Sequence, residues 1–119
     1  TSFDYSELSL SKQEMIFGDS LRVKVAVKNT GQRAGSEVVQ MYLKDEIGSV
    51  LRPDKELKGF QKIQLGPGQT TTLEFWVTPD MLTFTGPDMS KILEAGYYTV
   101  TVGPSSAEGI QKRFKLKKK

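Results

Sequence analysis

Asp54 and Glu56 stand two residues apart. On an extended backbone both side chains leave the same face, about 6.6 Å from one another. Two carboxyls at that spacing are the simplest acid–base pair that hydrolysis can use, provided burial keeps one of them protonated. Here Lys55 and Lys58 neighbour them and no aromatic wall accompanies them, so the pattern reads as a charged segment with local ion pairs. Asp45 and Glu46, with Asp80 or Asp88, can be drawn around a calcium ion. That ion takes roughly six to eight oxygens at set spacings, and no Asp-rich loop of this kind is present, so a solvated loop is the better reading. Gly66-Pro67-Gly68 lacks the Lys-Ser/Thr that a phosphate-cradling loop needs. The chain has no Cys and no His. Thiol nucleophiles, disulfides and thiolate metal sites are therefore excluded, as are imidazole bases and His-containing triads.

Charge adds little chemistry. The 119 residues carry a net charge of +3. Six of the 17 basic residues are Lys112, Arg113, Lys115, Lys117, Lys118 and Lys119, which leaves 11 against 14 acidic ones elsewhere. A nucleic-acid surface spreads Lys and Arg over a groove with interleaved aromatics, and this chain does not. No apolar run is long enough to cross a bilayer. Thr1 opens a polar-aromatic stretch without the basic and apolar regions of an export signal, so such a signal would lie outside this sequence.

The elements that position these residues alternate with period two. Leu21, Val23, Val25 and Val27 alternate with Arg22, Lys24, Ala26 and Lys28. Val39, Met41 and Leu43 repeat the pattern against Val38, Gln40, Tyr42 and Lys44, and Thr71, Leu73, Phe75 and Val77 against Thr72, Glu74 and Trp76. Tyr98, Val100 and Val102 form a further strand, Ile110, Phe114 and Leu116 a last one, and Leu57, Ile63 and Leu65 one of weaker phase. The first strand changes phase near Ser6-Glu7, as at a bulge. Asn29-Thr30-Gly31 followed by Gly35 predicts a hairpin-like connection, Gly66-Pro67-Gly68 a type II turn, and Pro79–Leu82 one helical turn capped by Thr78. About seven strands with turn signals roughly every 8–12 residues predict an all-β sandwich of the immunoglobulin or fibronectin type III kind. It is expected to span residues 1–116, with 117–119 a basic tail. The connection from Asp45 to Glu56 is long for such a fold, and long ordered loops pack against something or carry function. Tyr42, Trp76 and Phe60 fall off the core-facing phase. They serve as local packing, as a docking surface, or, for Trp76, as a platform on which a sugar stacks.

Four motifs then resemble a known family. They are Val27-Lys28-Asn29-Thr30-Gly31-Gln32-Arg33-Ala34-Gly35 followed by Glu37–Tyr42; Ser49-Val50-Leu51-Arg52-Pro53-Asp54-Lys55-Glu56-Leu57-Lys58-Gly59-Phe60; Leu65-Gly66-Pro67-Gly68-Gln69-Thr70; and Leu93–Gly103. In this order they resemble the fibronectin type III-like domain at the C-terminus of family 3 glycoside hydrolases, mainly β-glucosidases and β-xylosidases. Asp54 stands where the family often has an apolar residue, Gln69 replaces a Glu, and Thr85–Ile92 lacks an aromatic. The resemblance implies that the catalytic residues lie upstream in other domains, since the Ser-Asp-Trp segment around their nucleophilic Asp is absent here. It implies a non-catalytic accessory domain without a cofactor, partnered by the catalytic domains of its parent, in a periplasmic or extracellular setting. The residues expected to dock are Arg52, Pro53, Lys55, Glu56, Phe60, Tyr42 and Trp76. The alternative is a carbohydrate-binding or adhesive sandwich making weak sugar contacts.

Overall fold

The computed structural model describes residues 2–46, 55–85 and 88–118. Its elements in chain order are β1 (Phe3–Leu10), β2 (Glu14–Ile16), β3 (Leu21–Asn29), β4 (Gly35–Asp45), β5 (Glu56–Leu65), β6 (Thr70–Val77), α1 (Pro79–Leu82), β7 (Phe84–Thr85), β8 (Lys91–Ile92), β9 (Gly96–Gly103) and β10 (Ile110–Lys117). Two sheets form a sandwich, as expected from the strand count. One has the order β1-β3-β6 and the other β2-β10-β9-β4-β5; all neighbours are antiparallel except β2 and β10. β7 and β8 make a separate two-stranded ribbon.

The alternating apolar residues meet between the sheets. Val23, Val25 and Val27 of β3 and Leu73, Phe75 and Val77 of β6 are buried against Val39, Met41 and Leu43 of β4 and Val100 and Val102 of β9. Tyr98 and Phe114 stack with ring centroids 5.6 Å apart. Each such side chain contributes roughly 1.5–3 kcal/mol when fully buried. In β5 a glycine meets this core: a Cβ on Gly59 would lie 3.3 Å from Cδ1 of Phe75, so the ring occupies the room that a side chain would take.

Two strands change phase. The ladder of β1 and β3 shifts between Ser6 and Ser9, where Glu7 takes φ 54°. Tyr5 thus keeps its ring against the core on one side of the shift and Leu8 on the other. The Tyr5 hydroxyl donates to Glu37 Oε2 (3.0 Å), linking the two sheets. Burial first, and then the Glu37 carboxylate, push this phenol well above its ordinary pKa. The second shift lies between Met41 and Tyr42, where Gly59 opposes Met41 and Leu57 opposes Tyr42. Leu57, read with Ile63 and Leu65 as a strand of weaker phase, is turned outward by the bulge and left 48% exposed.

The connection after β3 is not a hairpin. β3 and β4 belong to different sheets, and so do β5 and β6, so both turns cross the sandwich. Fully buried Asn29 makes both crossings. Its Nδ2 donates to the carbonyls of Arg33 (2.8 Å) and Leu65 (3.0 Å), and its Oδ1 accepts from Gly31 N–H (2.9 Å). Its own N–H donates to Gln69 O and its carbonyl accepts from Gly68 N–H, both at 2.9 Å. The turn it grips is the expected type II turn: Gln69 N–H bonds Gly66 O and Gly68 sits at φ 78°. Short turn signals at Asn29-Thr30-Gly31 fit either connection; which sheet each strand joins is decided by partners far away in sequence.

Two smaller expectations change. Thr78 occupies the N-cap of α1, but its side chain makes no capping bond. Lys117, expected in the tail, closes β10: it pairs with Ile16, its carbonyl accepts from Phe17 N–H (3.0 Å), and its Nζ bonds Glu14 (3.3 Å).

Two substitutions test this architecture by urea unfolding. Asn29→Ala strands buried carbonyls and an N–H at about 1–3 kcal/mol each, so a loss of at least about 2 kcal/mol is expected. Phe75→Ala is expected to lose about 3–5 kcal/mol. A loss below about 1 kcal/mol in either case would contradict the packing described.

Candidate docking surface

The outward face of the five-stranded sheet near its β5 edge carries three of the six large hydrophobic residues exposed among the described residues. Antiparallel register sets Leu57 opposite Tyr42, Phe60 opposite Gln40 and Lys62 opposite Val38, all on the side away from the core. Phe60 is 67% exposed, Leu57 48% and Val38 40%. Scattered single apolar residues are ordinary on a surface; a cluster on one strand edge is a candidate interaction surface. Its polar neighbours are held in place. The Tyr42 hydroxyl donates to Gln40 Oε1, and Gln40 Nε2 donates to Pro104 O (2.8 Å), fastening the β9–β10 loop beside the patch. Lys55 reaches the same loop at Ser106 O (3.0 Å). Lys58 and Glu56 form an ion pair at 3.3 Å.

The structure thus brings together only some of the residues expected to dock. Tyr42 and Phe60 share the patch. Lys55 lies at its rim, while Glu56, opposite Leu43, falls on the core-facing phase at the end of the sandwich. Trp76, 51% exposed, projects from the outer face of the other sheet, opposite Arg22 and beside the Lys24–Glu74 ion pair (3.8 Å). No other large exposed aromatic or aliphatic residue of that sheet accompanies it among the described residues. Arg52 and Pro53, with Asp54, lie outside the described residues. Val38 and Leu57 were missed. Gly59, in the middle of a strand, is the signal that could have revealed the bulge and hence the outward turn of Leu57.

Three of the carboxylates considered for metal or acid–base work, Glu46, Glu56 and Asp88, have other partners. Asp88 accepts from Ser90 N–H (3.1 Å) and Ser90 Oγ (2.6 Å), and these bonds hold its pKa below the usual carboxylate range. Glu46 accepts from Thr99 Oγ1 (2.6 Å) and from Arg113 Nη1 (3.3 Å). Among the described residues no group of three or more carboxylates is arranged to hold a metal ion.

Comparison with known proteins adds context. Residues 37–106 match the model of the fibronectin type III-like domain. A putative β-xylosidase of Formosa agariphila is 51% identical over 99% of this chain, which covers 16% of that protein. The periplasmic β-glucosidase of Salmonella typhimurium is 40% identical over 98% of the chain and 15% of its own length. Among solved structures, a β-glucosidase from Erythrobacter marinus superposes with a TM-score of 0.92 at 37% identity, over 98% of this chain and 15% of the other. The chain therefore spans about 15% of the length of the proteins it resembles.

The patch makes one direct prediction. Because Phe60 is mostly exposed, Phe60→Ala in the 119-residue chain should change stability by no more than about 0.5 kcal/mol. A larger loss in thermal or urea unfolding would mean that the ring is packed internally.

Proposed function

The chain belongs to the fibronectin type III-like domain family, and we propose that it is a non-catalytic accessory domain of a family 3 glycoside hydrolase of β-glucosidase or β-xylosidase type. Its role in this reading is to scaffold the enzyme by docking onto the catalytic domains. The observation that carries it is one of proportion: nearly the whole chain aligns with only about 15% of each such enzyme. Cleavage of the glycosidic bond then belongs to the remaining bulk of the protein. A chain without His or Cys, in which Glu46, Glu56 and Asp88 are tied into ion pairs and turns, fits that division.

Docking follows from the apolar patch and the segment beside it. Contacts between domains typically bury roughly 600–1,500 Å², and Val38, Tyr42, Leu57 and Phe60 supply an apolar centre for one. Arg52 would add a planar, permanently charged fork for a carboxylate or carbonyl across the contact, and Pro53 would limit the entropy lost on ordering it. Lys55 supplies a polar rim, while Glu56, on the core-facing phase, would need a contact at the end of the sandwich. Trp76 faces the other way and would need a second contact.

Two experiments test the reading. Assayed alone with aryl β-glucosides and β-xylosides, the chain should show no turnover above buffer; activity that co-purifies with it would rule the reading out. In the complete enzyme, Arg52→Ala and Phe60→Ala should each lower the melting temperature or the activity while leaving the isolated chain nearly unchanged. Equal losses in both settings would assign these residues to internal packing and end the docking proposal.

A further inference from the structure

We propose that the open edge of β10 takes up an extended acidic peptide segment as an added strand. This edge lies on the far side of the five-stranded sheet from β5, so the inference does not rest on the docking reading above. β2 covers only the last part of β10: Glu14, Met15 and Ile16 pair with Lys115, Leu116 and Lys117. The N–H of Lys115 donates to Gln13 O and the carbonyl of Lys117 accepts from Phe17 N–H, both at 3.0 Å, so the odd-numbered residues of β10 face this side. Strand alternation then directs the N–H and C=O of Gln111 and Arg113 to the same side. Among the described residues no strand pairs with them there, since β9 occupies the other edge. A segment laid in the column of β2 would find two donors and two acceptors at ladder spacing.

The surroundings form a groove rather than a bare edge. Ser9 and Leu10 of β1, with Gln13 and Glu14, line one wall, and Lys112, Arg113, Phe114 and Lys115 line the other. The charges select the occupant. Lys112 is exposed at this edge. Arg113 lies 4.2 Å from the centroid of the Tyr97 ring and Lys115 Nζ 5.6 Å, so one aromatic ring orders both cations along the strand. The nearby carboxylates are engaged, Glu46 with Arg113 and Glu14 with Lys117, each at 3.3 Å. Lys112, on the phase of Phe114 and Leu116, is left to answer an incoming anion, while Lys115 on the opposite face is held over Tyr97. Lysines on a strand edge also repel a second copy of the same edge, so the arrangement discourages self-pairing while it favours a strand carrying Asp or Glu.

The test uses the 119-residue chain and a short capped peptide of alternating Glu and Val. Amide exchange at Gln111 and Arg113 should slow on titration, and Lys112→Glu, at an exposed position, should weaken affinity about tenfold with the melting temperature unchanged. A peptide of alternating Lys and Val should have no effect. The proposal is overturned if millimolar Glu/Val peptide slows neither amide, if protection appears along β5 instead, if the Lys/Val peptide acts equally, or if Lys112→Glu binds as tightly as the unaltered chain.

Discussion

A single buried amide sets the geometry on which both sheets depend. Asn29 ends β3, and every polar group it owns is spent on holding two crossings together: the corner that leads to β4 and the turn that leads from β5 to β6. A buried amide left without partners costs several times what a satisfied one contributes, so the alternatives to this arrangement are steep. Aspartate could accept from Gly31 but could not donate to the two carbonyls. Serine could not span them. The corner fixes how far apart the sheets stand and which edges lie on the same side.

From that placement the two sides of the sandwich acquire different characters. β5 and β6 become neighbouring edges, and the Gln61 side chain donates to Glu74 O, satisfying a carbonyl of β6 that has no strand beside it. The β5 edge presents apolar side chains and suits a permanent contact. On the opposite side β10 presents cations and unpaired backbone, which suits a more polar, reversible one. The two edges of this small domain thus differ in chemistry: at β5 strand parity and a bulge turn apolar side chains outward, and at β10 the short β2 leaves part of the strand unpaired among the described residues.

Much of this fold was legible in the residues. Period two found the buried faces of β3, β4, β6 and β9 because each strand has one face in the core, and the Gly66-Pro67-Gly68 turn follows from what Pro and Gly allow at φ. What could not be read was non-local. Asn29-Thr30-Gly31 announces a turn but not whether the next strand stays in the same sheet. Parity marked Tyr42, Phe60 and Trp76 as outward without saying that Trp76 looks from the other face. The strand of Leu57, Ile63 and Leu65 read as weak in phase because a bulge inverts phase without altering composition, and only Gly59 hints at it. Lys117 reads as part of a solvated run, yet its backbone is held by β2, more than a hundred residues earlier.

The order of strands in the sheets has a consequence for how the chain is made. Leu21 pairs with Val77, and Met41 with Val102, so central contacts of both sheets join residues about sixty apart. Such loops must close before their contacts reward the lost entropy, which slows folding relative to chains built from local contacts. On a ribosome, β4 and β5 emerge as an adjacent pair and must wait, unsheltered, until β9 has followed. During that interval the inner face of β4, with Val39, Met41 and Leu43, is as exposed as the outer one. Strands of this kind are a hazard in crowded, slow synthesis. The strand bulge and the lysines at positions 58 and 62 of β5 are features of the kind that disfavour edge-to-edge pairing of strands.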